Sequence, residues 1–119
     1  MPGIMTMTRY GMNYKKGDIL LIRFPFTDLQ NSKKRPILAI KDENSYGDIV
    51  CLQITSKSAQ TYLKEINQAD FNSKALKVNS YIKYDKCFTL DSKIVDKKLS
   101  SVNADFLEKI KNLFCNTAF

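Results

Sequence analysis

The stretch GDILLIRFPFTDLQNSKKRPILAIK, residues 17–41, decides the fold, because it splits into two apolar runs joined by a polar, basic segment. Gly17-Asp18 is a turn dipeptide, and residues 19–24 follow as a short run of strand formers bounded by Pro25. Residues 27–34 have no apolar period and carry Asp, Gln, Asn, Ser and two lysines, the composition of a solvated loop. Arg35-Pro36 then opens the apolar run 37–40, short enough for a strand covered on both faces. Proline confines the residue before it to extended backbone, so Arg35 is held stiffly where loop meets strand. A pinned arginine suits an anion; it is equally an ordinary surface residue before a proline.

Working outward, residues 41–48 (KDENSYGD) are dense in turn formers and read as a hairpin connection. In 49–55 (IVCLQIT), Val50, Leu52 and Ile54 share one face and Cys51, Gln53 and Thr55 the other. Gln53 and Thr55 thus turn together toward the less buried side, and Ser56-Lys57 extend the polar character at the strand end. Residues 58–77 show no clear register: 63–66 suit an edge strand and 69–73 a turn or one helical turn. In 80–85 (SYIKYD), Tyr81, Lys83 and Asp85 alternate with Ile82 and Tyr84, a half-exposed strand with its polar members on one side. The segment 87–91 (CFTLD) follows, then a last short strand around 94–97. Asn103 is a sound N-cap, Asp105 suits the first helical turn, and Phe106, Leu107, Ile110, Leu113 and Phe114 recur at helical spacing, so 104–114 is expected as an amphipathic helix.

The chain of 119 residues with 44% hydrophobic and 26% charged residues is sized for one domain with its own core. Residues 1–13 are expected to lie outside it, as an N-terminal extension or expression scar, leaving 14–119 as the single domain. Cys51, Cys87 and Cys115 are widely spaced and odd in number, and there is no histidine, which argues against zinc and for a reducing compartment. No apolar run approaches a membrane span, so a cytoplasmic protein is expected. The net charge is +7, and residues 103–119 balance Asp105 and Glu108 with Lys109 and Lys111, so the excess falls on the strands and loops. Nucleic acid or an acidic protein fits such a surface; lysine-rich, AT-biased coding accounts for it equally well.

These residues resemble a family. G-D-I-x-x-x-x-F-P at 17–25, K-R-P-x-L-x-I at 34–40, a strand ending in Thr-Ser at 55–56 and CFTLD at 87–91 are together similar to the MazF/PemK-like toxins of type II toxin–antitoxin systems. The resemblance implies a mainly β fold with a C-terminal helix, the SH3-like barrel of the MazF/PemK/CcdB toxins, usually as a homodimer. It implies an endoribonuclease that needs no metal or other cofactor and is blocked by a cognate antitoxin whose acidic, extended segment crosses the dimer groove. Arg35 and Thr55 match positions important for cleavage. The PemK branch has Arg-x-Asp just before the third motif, and here those positions read Lys83 and Asp85: the carboxylate is kept, but lysine lacks the planar fork of guanidinium.

RNA supplies its own nucleophile, the 2′-hydroxyl, so a protein without histidine can still cut it. Arg35 then stabilises charge, Thr55 positions the phosphate or the attacking hydroxyl, and Asp85 is the candidate base, unless it only pairs with Lys83 or Lys86. Thr55 also reads as a plain strand-end residue. Thr27, Lys33, Lys34, Gln53, Ser56, Lys57 and Lys83 are the expected RNA-binding residues, although Lys33-Lys34 also fit a merely solvated loop. Single-stranded RNA is the expected form, with Phe24, Phe26, Tyr81 and Tyr84 as candidate stacking surfaces. Two other readings remain: a basic SH3-like binding module without cleavage, and a gyrase poison of the same fold. The latter act through a Trp-containing C-terminal end, whereas this chain has no tryptophan and ends Asn-Thr-Ala-Phe.

Overall fold

The computed structural model describes residues 13–24 and 33–118, with the side chains of Phe24 and Lys33 left aside. Residues 25–32, which hold Phe26, Thr27 and most of the loop expected at 27–34, and the first twelve residues lie outside the described residues. Among the described residues six strands form one antiparallel sheet: β1 (Asp18–Phe24), β2 (Lys33–Ala39), β3 (Asp48–Thr55), β4 (Leu63–Glu65), β5 (Tyr81–Asp91) and β6 (Val95–Ser101), in the order β4-β5-β3-β2-β1-β6. Helix α1 (Ala104–Ala118) closes the chain and packs chiefly on β5. Asn103 caps it as the sequence indicates, its Oδ1 accepting from Phe106 N at 2.8 Å.

The two edge strands do not share a ladder; the sheet curls until the segment after β4 reaches the end of β6. There Phe71 makes an isolated bridge with Val102, and Asn72 N donates to Ser101 O at 2.9 Å. Asn72 Nδ2 adds bonds to Ser101 Oγ and Val102 O, both at 3.1 Å. The barrel expected from the resemblance is thus a strongly bent sheet stitched at its margins. Gly17 sets the bend where β1 starts: its N donates to Ala39 O at 2.7 Å and its O accepts from Val102 N at 2.8 Å. Its φ of +93° is left-handed, and a Cβ there would lie 3.2 Å from Val102 O, so glycine is required on both counts.

Alternation along the strands separates two cores. On one face Ile19, Leu38, Leu52, Ile54 and Ile82 pack against Phe106, Leu107 and Ile110 of the helix. On the other, Leu20, Ile22, Ile37, Ala39, Ile49, Cys51 and Leu90 cluster. The run Ile37, Leu38, Ala39 and Ile40 is buried throughout, as its unbroken apolarity implies. No helix among the described residues is long and apolar enough to cross a membrane.

Burial pushes the Cys51 thiol from its ordinary 9.0 up to about 12, and the Cys87 thiol is raised by burial as well. An unfolded chain releases the Cys51 proton near pH 9 while the folded one keeps it. The stability Cys51 contributes is therefore complete below pH 9 and falls above it. Urea unfolding at pH 8 and pH 10 is expected to show a loss of about 1 kcal/mol from this group, absent in Cys51→Ala.

Candidate active site

Strands β2 and β3 pair only through Ile37↔Gln53, Leu38↔Leu52 and Ala39↔Cys51. Two residues beyond the first of these pairs the same register would set Arg35 against Thr55, but the ladder has ended and the strands part. The gap is a cleft of about 320 Å³ lined by Lys34, Arg35, Pro36, Ile54, Thr55, Ser56, Lys57, Val78 and Ser80. A proline in β2 explains the opening: Pro36 has no N–H to extend the ladder past this point.

Arg35 is half-buried, and its Nε is a buried nitrogen with no hydrogen-bond partner. Such a donor carries a desolvation cost of about 1–3 kcal/mol, which an acceptor entering the cleft would offset. Across the gap Thr55 Oγ1 accepts from Lys57 N at 3.1 Å, which fixes the hydroxyl oxygen and leaves its hydrogen to donate. Lys34 Nζ, at the rim, is held 3.2 Å from Asp96 in an exposed ion pair. The described lining contains no carboxylate and three cationic side chains, so it is built to receive negative charge.

Of the sequence-derived candidates, Lys34, Arg35, Thr55, Ser56 and Lys57 meet here. Lys34 and Lys33 belong to β2 rather than to a loop, because β2 begins four residues before the apolar run 37–40. Gln53 is half-buried between Ile37 and Lys83 and stands just behind the cleft. Thr27 and the Lys33 side chain are outside the described residues.

Lys83 and Asp85 are elsewhere. Between the pairs Leu52↔Cys87 and Gln53↔Lys83, three residues of β5 face no partner on β3, a bulge centred on Asp85. The expected half-exposed strand therefore continues through this bulge into CFTLD as one strand of 11 residues. Lys83 is 8% exposed, not half-exposed, since the corner at Thr61-Tyr62 folds over it. Its Nζ donates to Asp85 Oδ1 at 2.7 Å and to Thr61 O at 2.9 Å and lies 5.7 Å from the Tyr62 ring centre. Tyr62 takes an unusual φ of +61° and stacks edge-on against Tyr84 at 6.0 Å. Thr55 stands opposite Tyr81. Asp85, in the bulge, lies between the levels of Gln53 and Leu52, two to three residues of β3 from Thr55, roughly 7–10 Å at about 3.3 Å per residue.

Val78 and Ser80 line the cleft without having been singled out from the sequence. Val78 follows the stretch 58–77 that showed no register and Ser80 opens the strand read at 80–85; an apolar Val78 flanked by Lys77 and Asn79 was the one signal available.

The fold matches solved structures over nearly their whole length. MazF of Deinococcus radiodurans aligns with a TM-score of 0.70 at 17% identity, covering 90% of this chain and 97% of that one. A MazE-MazF structure from the same organism gives 0.72 at 16%, covering 88% and 95%. A mycobacterial endoribonuclease solved with its cognate antitoxin gives 0.66 at 14%, covering 87% and 90%. No curated protein matches the sequence significantly. The family described as PemK-like, MazF-like toxin of type II toxin-antitoxin system, however, matches residues 15–117. With that span of sequence added to the fold, the chain belongs to the PemK/MazF-like toxins of type II toxin–antitoxin systems.

Proposed function

We propose that the chain is an endoribonuclease that cuts single-stranded RNA without a metal ion, by attack of the 2′-hydroxyl on the adjacent phosphorus. The O2′–P bond forms as the P–O5′ bond breaks, the 2′-hydroxyl proton passing to solvent and the departing 5′-oxygen taking one up from it, which leaves a 2′,3′-cyclic phosphate and a 5′-hydroxyl. The observation that carries this reading is the meeting of Arg35 and Thr55 in one cationic cleft. Arg35 donates to the non-bridging oxygens as charge accumulates on them, and its guanidinium is in no ion pair among the described residues. Thr55 donates its hydroxyl hydrogen to the phosphate, with its oxygen already anchored by Lys57 N. Lys34, Ser56 and Lys57 bind the flanking backbone.

We assign Asp85 to holding Lys83 rather than to proton transfer, given its 2.7 Å ion pair and its absence from the described lining of the cleft. Asp85→Asn is expected to destabilise the fold by about 1–3 kcal/mol, because Lys83 is left under Tyr62 without its counter-charge. Measured well below its melting temperature, the variant should cut RNA at a rate within a few-fold of the parent. Loss of the low-pH limb of the rate profile would instead mark Asp85 as the base.

The basic surface also fits an acidic, extended antitoxin segment across a homodimer groove, and relatives of this fold have been solved with cognate antitoxins. The deciding experiment is incubation of purified protein with a long transcript in EDTA, followed by analysis of the ends. Cyclic phosphate and 5′-hydroxyl ends are expected, and 2′-O-methyl RNA should stay whole. Binding without cuts would make the protein a basic binding module.

A further inference from the structure

Beside the Arg35 cleft lies a second basin of about 470 Å³ that shares Pro36, Val78 and Ser80 with it. It spans from Pro36 of β2 to Lys97 of β6, the two residues that flank Leu21 of β1 in the sheet. Leu76 and Leu99 add apolar surface, and Lys74, Lys77 and Lys97 stand around it. All three lysines are exposed, and none is in an ion pair among the described residues. Val78, on the wall common to both cavities, is 63% exposed, an uncovered apolar side chain between two cationic surfaces.

Resting on the nuclease reading above, we propose that this basin is a second nucleotide subsite, which holds the RNA segment flanking the phosphate bound at Arg35. Backbone phosphates would meet Lys74, Lys77 and Lys97, and a base or ribose would lie on Val78, Pro36 and Leu99. Charge and apolar floor together are what a single strand needs, since its bases expose flat apolar faces beside a charged backbone. A peptide joining the sheet as an extra strand is disfavoured here. The Ser100–Ser101 end of β6 is already occupied, with Asn72 N bonded to Ser101 O at 2.9 Å and Ser100 Oγ to Lys74 O at 2.5 Å.

The test uses the full chain and a random-sequence, 12-nucleotide RNA with 2′-O-methyl riboses, titrated by fluorescence anisotropy over a range of salt. Lys74, Lys77 and Lys97 all changed to alanine should weaken binding at least tenfold at low salt. The slope of log K against log salt should flatten by about two, from three phosphates at about 0.7 each. Arginine at the same three positions should restore both. On a cleavable transcript the alanine variant should raise KM and keep kcat. Unchanged affinity and slope in the alanine variant, while the parent still cuts RNA through Arg35, would overturn the subsite alone. A parent that neither binds nor cuts would overturn both readings. Lost binding of a polyglutamate peptide with intact RNA binding would assign the basin to a protein partner and end the proposal.

Discussion

Arg35→Ala is expected to lower the rate of RNA cleavage at least a hundredfold, about 2.7 kcal/mol or more of transition-state stabilisation, with the melting temperature nearly unchanged. The two halves of this result have one physical source. Arg35 Nε is buried with no acceptor, so the folded protein loses little when the guanidinium goes. The same side chain lines a cleft with two further lysines and no described carboxylate, where a phosphorane-like charge would be a good partner for the guanidinium. Arg35→Lys should remain strongly impaired, since an ammonium restores the charge but neither the Nε donor nor the planar fork. Single-turnover cleavage of a mapped site, beside thermal unfolding of each variant, measures both halves. A variant that unfolds easily and cuts well would reverse the assignment.

How much of this was legible beforehand differs between the parts. The strands around 17–41, the third strand and the helix follow from local patterns: alternation at 49–55, an unbroken apolar run at 37–40, and an N-cap at Asn103 with helical spacing behind it. The helix runs to Ala118 rather than ending at Phe114, because 115–118 carry no apolar residue that the spacing requires, yet nothing there breaks a helix. The final strand is Val95–Ser101, beginning after a 3-10 turn at Ser92–Ile94 that a reading centred on 94–97 does not separate. Arg35 and Thr55 were visible as residues, but their meeting depends on where the β2–β3 ladder stops, a property of two strands together. Lys83 is the clearest case of tertiary context overriding alternation. It sits at a polar position of its strand, yet the Thr61-Tyr62 corner, in the unreadable stretch, covers it and takes up its charge.

The largest stability effect is expected at Phe106, which is 1% exposed and joins the helix to the sheet core. Phe106→Ala removes most of a large side chain from a packed interior and should cost about 3–5 kcal/mol. Against a total of about 5–15 kcal/mol for a domain, that is enough to lower the melting temperature by roughly 12–20 °C. The reason is positional as well as volumetric. Its ring lies against the face carrying Ile19, Leu52 and Ile82 one turn from the Asn103 cap, so its loss loosens the helix start from the sheet core while the capping bond to its backbone N–H remains. None of the residues lining the Arg35 cleft comes from the helix. Kept cold enough to stay folded, Phe106→Ala should therefore cut RNA at nearly the parental rate, and Phe106→Leu should recover much of the lost stability. Urea unfolding combined with cleavage at low temperature separates the two contributions. A large fall in kcat without unfolding would mean that the helix holds the cleft in shape through β3 and β5, a coupling that the packing of α1 on β5 makes the first place to look.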